Sequence, residues 1–128
     1  MVPKITVIMP SFNVVNYIKN CMDSVLGQTL ADLEILSVDA GSTDGTIEIL
    51  KDYEKQDPRV KVVLSEKKSY GYQVNKGIAL AKGKYVGVVE TDDRILPDMY
   101  KSLYAMAEDS GADYVKGVAE AFIENPVG

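Results

Sequence analysis

Lys4-Ile-Thr-Val-Ile-Met9 leads directly into Pro10-Ser11-Phe12-Asn13, and the reading of this stretch decides the fold. The run is short, apolar and β-branched, without polar alternation. That is the pattern of a strand covered on both faces rather than one turned to water. Such a strand needs helices on either side of its sheet, and the chain downstream supplies them. Tyr17, Ile18, Cys21, Met22, Val25 and Leu26 recur at helical spacing, with Asn13 or Asn16 as the cap and Gly27 as the stop. Leu33–Asp39 reads as a second strand. Thr43 or Asp44 then caps a helix to about Gln56, with Ile47, Leu50 and Tyr53 facing inward and Asp57-Pro58 ending it. Val60–Leu64 is a third strand, followed by a helix from about Tyr72 to Ala81 that ends at Gly83. Lys84–Glu90 is a fourth strand. Leu96-Pro97 opens a last helix whose inner face carries Leu103, Met106 and Ala107, and Ala112–Val118 is a candidate fifth strand. Strands alternating with helices predict parallel pairing through right-handed crossovers. The expected class is α/β, three-layered, with a mainly parallel sheet of four to five strands and helices on both faces.

Composition narrows the function. The 128 residues suit one domain. Fourteen Lys and Arg against nineteen Asp and Glu leave a net charge of −5, which argues against a nucleic acid partner. With no His, imidazole bases and His-ligated zinc are excluded. The single Cys21 excludes an internal disulfide, and on an apolar helix face it reads as core. No apolar run approaches the roughly 18 residues that span a bilayer, so a cytoplasmic location is expected, with attachment at the inner membrane face left to a longer protein.

The informative loops all follow strands. In a parallel α/β sheet, ligands bind beyond the carboxyl ends of the strands, where the strand order reverses. If the first three strands wind to one side and the fourth crosses to the other, the loops Pro10–Asn13 and Glu90–Asp93 face each other across the crevice. Glu90-Thr91-Asp92-Asp93 sets three carboxylates within four residues. Their repulsion needs solvent or a cation, and Mg²⁺ or Mn²⁺ takes such oxygen ligands while bridging to phosphates; the plainer reading is a solvated turn that caps the next helix. Gly41-Ser-Thr-Asp-Gly-Thr46 is a tight turn at a helix start, where backbone N–H groups can also meet an anion. Asp39 before it could accept hydrogen bonds from a base or ribose. Met22, Met99 and Met106 read as core filler. Tyr70, Tyr72, Lys67 and Lys68 read first as loop packing and solvated charge, with contact to a donor sugar or diphosphate as the alternative.

Taken in order, Pro10-Ser11-Phe12-Asn13, Asp39-Ala-Gly-Ser-Thr-Asp-Gly-Thr46, Asn75-Lys76-Gly77-Ile78 with Ala81-Lys-Gly-Lys-Tyr85, and Glu90-Thr91-Asp92-Asp93 resemble the family 2 glycosyltransferases. The resemblance runs from Ile5 to about Lys116. It implies a Rossmann-like GT-A nucleotide-binding half, a nucleotide-diphosphate sugar donor (UDP favoured), a divalent metal (Mn or Mg), and inverting transfer to a saccharide or lipid-linked glycan. By similarity, Pro10, Ser11, Phe12, Asn13, Asp39, Gly41, Ser42, Asn75, Lys76, Glu90, Thr91 and Asp92 would bind the donor, and Asp92 and Asp93 the metal. Three positions depart from the common pattern. Ala40 replaces a second acid and accepts no hydrogen bond, Val74 stands where many members have Arg, and Glu90 replaces Asp.

The resemblance also places the general base in a second half beyond the metal motif, so residues 1–117 are expected to be a donor-binding domain and 118–128 a tail at a truncation point. A non-catalytic nucleotide or nucleotide-sugar binding module is the rival reading. A phosphoreceiver domain lacks its paired acids here, and a sugar-nucleotide pyrophosphorylase its Gly-rich basic loop. Val118, Phe122 and Ile123 are apolar residues of a tail expected either to dock on a neighbouring chain or to be poorly ordered, with a homodimer formed through the bare sheet edge or the tail.

Overall fold

The computed structural model describes residues 2–110 and 123–126. Its elements are β1 (Ile5–Ser11), α1 (Ile18–Leu26), β2 (Leu33–Asp39), α2 (Thr46–Gln56), β3 (Val60–Leu64), α3 (Tyr70–Leu80), β4 (Tyr85–Val88), α4 (Met99–Ser110) and β5 (Ile123–Glu124). The sheet order is β3-β2-β1-β4-β5. β1 lies between β2 and β4 and is parallel to both, with Ile5 opposite Leu33 on one side and Tyr85 on the other. The order therefore reverses at β1, and a crevice opens between the ends of β1 and β4 as expected.

Alternate residues of β1 divide the core. Ile5, Val7 and Met9 face α1, α2 and α4, packing with Ile18, Cys21, Met22, Val25, Leu50, Tyr100 and Leu103. Ile8 faces the other way with Leu36, Val38 and Val86, under Ala81 and Ile78 of the α3 segment. Both faces of the strand are thus apolar because both are covered. Within α4, Leu103 and Ala107 are buried as read, whereas Met106 is exposed. It lies outside the inward stripe.

Several local expectations give way to tertiary contacts. α1 begins after Tyr17 with no side-chain cap, and Asn13 and Asn16 lie outside it. α2 follows Gly45 in the left-handed region, with Asp44 Oδ1 accepting from the Thr46 N–H and hydroxyl instead of sitting at the cap position itself. α3 starts two residues before the sequence expectation, because the Ser69 hydroxyl accepts from the Tyr72 N–H. β4 ends at Val88.

The candidate strand Ala112–Val118 lies outside the described residues. The outer edge of β4, expected to be bare, is paired antiparallel with β5, Tyr85 opposite Glu124 and Val86 opposite Ile123. The Asn125 amide donates to the carbonyls of Ala81 and Gly83 at 3.1 and 2.8 Å. This stretch of the expected tail therefore packs on its own chain. Those backbone acceptors give a short polar segment a reason to dock. Among the described residues no helix is long and apolar enough to cross a membrane.

Candidate functional site

The two loops after β1 and β2 form one braced unit. Asp39 is fully buried and its carboxylate is saturated. Oδ1 accepts from the Ser11 and Ser42 hydroxyls, both at 2.6 Å, and Oδ2 from the N–H groups of Gly41 and Ser42 at 2.9 and 2.8 Å. Gly41 turns the chain there with φ of +88°, a conformation that few side chains tolerate. Asn13 also adopts positive φ, 52°, which Asn tolerates better than most residues. Its Oδ1 accepts from the Thr43 N–H and its own N–H donates to the Ser42 hydroxyl, each at 2.8 Å. Asn13, Asp39, Gly41 and Ser42 are therefore turned onto one another, and none of them lines the cleft.

The cleft, about 370 Å³, lies at the switch point and is lined by Pro10, Ser11, Phe12, Val14, Lys68, Ser69, Tyr70, Gln73, Glu90, Thr91 and Asp92. The Thr91 hydroxyl donates to the Pro10 carbonyl at 3.0 Å, tying the acidic turn to the tip of β1. Around it, carboxylate oxygens of Glu90, Asp92 and Asp93 lie within 4.8 Å of one another, all three residues exposed. Oxygens so spaced suit a hard divalent ion that keeps several waters. The donor set fits: carboxylates with no thiolate or imidazole among them. Cys21 lies just behind, with its Sγ 3.6 Å from the Glu90 carbonyl. Burial first, then the charges of Asp93 and Asp92, push its thiol up to about 12, so it remains a protonated core group and not a ligand.

The opposite wall comes from the segment before α3. The Lys68 ammonium stands 4.3 Å from the centre of the Phe12 ring. Tyr70 lines the same cleft as Glu90 and Asp92, and partial desolvation, then the charge of Glu90, raise its hydroxyl above the ordinary value. Tyr70 and Lys68, read first as loop residues, are cleft residues. Ser69 and Gln73 were missed. Nothing local marks them; they reach the cleft because α3 docks across the ends of β1 and β2.

Asn75 and Lys76 are not brought to the cleft. Asn75 is exposed on α3. Lys76 donates to the Leu64 carbonyl at 2.8 Å and to Glu66 at 2.6 Å, and the Tyr72 hydroxyl also donates to Glu66 at 2.6 Å. Lys76 foremost, then Tyr72, holds the Glu66 carboxyl down at about 2. A carboxyl lowered on folding stabilises the folded form above its unfolded value and loses that contribution as pH falls towards 2. Lys76→Met is expected to return Glu66 toward the ordinary carboxylate range, read by NMR titration of the carboxyl carbon. An unchanged midpoint would refute the clamp.

A mainly parallel sheet with a cleft at its switch point, walled by an acidic turn and an aromatic, cationic loop, is the arrangement of a ligand-binding α/β domain. The sequence matches "Glycosyl transferase family 2" over residues 6–127. The chain belongs to that family. It is 38% identical over 115 residues to the "Uncharacterized glycosyltransferase EpsJ" of Bacillus subtilis, covering 90% of this chain and 33% of that protein. With the "Glycosyltransferase GlyG" of Streptococcus pneumoniae it shares 39% over 114 residues, covering 88% of this chain and 38% of that one. This chain thus spans about a third of the length of these curated relatives. TarS of S. aureus, solved in complex with UDP-GlcNAc, superposes with a TM-score of 0.79 at 30% identity, covering 90% of this chain and 35% of that one.

Proposed function

We propose that the cleft binds a nucleotide-diphosphate sugar carried on UDP, with Mn²⁺ or Mg²⁺ held by Asp92 and Asp93 and assisted by Glu90. In the whole protein the sugar would pass with inversion to a hydroxyl of a saccharide or lipid-linked glycan, in polysaccharide or glycoconjugate synthesis on the cytoplasmic side. The observation that carries this reading is the convergence of three carboxylates at the tip of β4, beside the β1 loop. The likeness to a structure solved with UDP-GlcNAc supports the UDP carrier.

When bound, the ion would supply positive charge to the departing diphosphate, whose negative charge grows in the transition state. The residues of this chain prepare for that step. Thr91 fixes the acidic turn against Pro10. Phe12 and Tyr70 offer aromatic surface, and Lys68 adds a cation on the wall facing the acids. Asn13, Asp39, Gly41 and Ser42 act on the donor indirectly, by keeping the β1 loop in place. No described residue is assigned as the general base.

Calorimetric titration of UDP, with and without Mn²⁺, tests the reading. UDP binding is expected to require Mn²⁺ and to weaken at least roughly tenfold in Asp92→Asn/Asp93→Asn, since hydrogen bonds and ion contacts to charged groups are worth about 1.5–3 kcal/mol each. Binding of equal strength in the double variant would remove these carboxylates from the site. A rival reading, a nucleotide-sugar module without turnover, predicts the same binding but no sugar transfer by the full-length protein.

A further inference from the structure

Gln73 is 4% exposed yet lines the cleft. Its amide Nε2 donates to two backbone carbonyls, Ser11 at 3.0 Å and Val38 at 2.8 Å, at the ends of β1 and β2. Carbonyls only accept, so the amide has one orientation; turned over, Oε1 would meet two other oxygens. Oε1 is thereby directed away from both strand ends, and no described residue donates to it. Gln73 is nearly buried as a residue, but Oε1 is not one of the buried side-chain atoms that lack a partner; the oxygen keeps access to the cleft that the residue lines, where it can accept. The two side chains at the end of β2 offer no competing acceptor. Asp39 has four donors of its own, and Ala40 has a methyl group.

The strand order says which part of a ligand reaches Gln73. The acidic turn extends from β4, whereas Gln73 is clasped to β1 and β2. Adjacent strands lie about 4.8 Å apart. A donor with its diphosphate at the acids therefore brings its nucleoside, not its phosphates, to Gln73.

We propose that Gln73 is the specificity-determining residue for the nucleobase, its Oε1 accepting a hydrogen bond from the ring N3–H of uracil. Cytosine presents an unprotonated ring nitrogen at that place, and two acceptors would then face each other. The inference rests on the reading of the cleft as a UDP-sugar site.

The test is a calorimetric titration, in the presence of Mn²⁺, of UDP, CDP and N3-methyl-UDP against this chain and against Gln73→Met. The methylated nucleotide removes the donor without altering the protein, so a folding defect cannot imitate the result. The unaltered chain is expected to bind UDP roughly tenfold or more tightly than either other nucleotide, the worth of one buried hydrogen bond and the acceptor left unpaired without it. Gln73→Met is expected to bring the three affinities together, whereas a purely structural Gln73 would lower them in proportion. Equal binding of UDP and N3-methyl-UDP by the unaltered chain overturns the role of Gln73 and leaves the UDP site standing. A preference for UDP that survives in Gln73→Met overturns it as well. No UDP binding at all overturns both readings. Should Gln73→Met not fold, the ratio of UDP to N3-methyl-UDP in the unaltered chain decides.

Discussion

Gly83→Ala is expected to destabilise the domain by about 3 kcal/mol or more, a large part of the roughly 5–15 kcal/mol that holds a small domain together. A Cβ at Gly83 would stand 2.7 Å from the Ile5 carbonyl carbon and 2.7 Å from the Thr6 hydroxyl oxygen, with the Thr6 backbone nitrogen closer still. Those atoms belong to the central strand, which has covered faces and no room to retreat. The site is also a junction. The Gly83 N–H donates to the Thr6 hydroxyl at 2.9 Å, that hydroxyl donates to Glu34 at 2.7 Å, and the Gly83 carbonyl accepts from Asn125. Pushing Gly83 outward would loosen β1, β2 and the β5 segment together. Gly71 is the control, because a Cβ there meets nothing within 4 Å and the residue lies in the first turn of α3. Gly71→Ala is expected to be neutral or to stabilise by up to about 1 kcal/mol. Urea denaturation of both variants at unchanged m-value checks the pair. If Gly83→Ala falls within about 0.5 kcal/mol of Gly71→Ala, the close approach of the turn before β4 to β1 is wrong.

Asp39→Ala is expected to lose about 3–4 kcal/mol, while Asp39→Asn loses only about 1 kcal/mol. The contrast follows from the donors. Two of the four are backbone N–H groups, which cannot turn, and two are hydroxyls, which can both donate and accept. Asn can set its oxygen against the Gly41 and Ser42 N–H groups and donate its amide to the two hydroxyls. Ala leaves all four without a partner in a fully buried position. The β1 loop is braced on this point through Ser42 and Asn13, so the Ala variant should also weaken UDP binding, whereas Asn should largely retain it. Denaturation midpoints, with hydrogen exchange at the Gly41 and Ser42 amides, provide the measurement. Similar stabilities for the two variants would show that the carboxylate does not organise this loop.

The layered α/β class, the position of the cleft and the acidic turn were legible in the sequence because each depends on local pattern. A β-branched run without polar alternation reports a doubly covered strand, as in β1, and apolar spacing reports the inner face of α1. Three acids at a strand end report their own repulsion. Four short motifs in a fixed order were enough to mark the family. Where a local signal met a second partner in space, that partner holds the group. Asn13 looks like a helix cap, but the Ser42–Thr43 turn occupies it. Lys76 lies in a family motif, but Glu66 and the Leu64 carbonyl hold it. Asp39 was read as a ligand group, and its own loop surrounds it.

Chain order and periodicity alone determined β1 to β4 and α1 to α4, the parallel crossovers and the location of the acids, since these follow from backbone geometry and from which faces must avoid water. The antiparallel β5 was not among the expected strands. Tertiary structure alone decided which polar groups are already satisfied. The partners of Gln73 lie 62 and 35 residues away and that of Gly83 lies 77 residues away. No pattern of neighbours along the chain encodes such pairings, because hydrogen-bond saturation and steric contact are properties of atoms brought together in space.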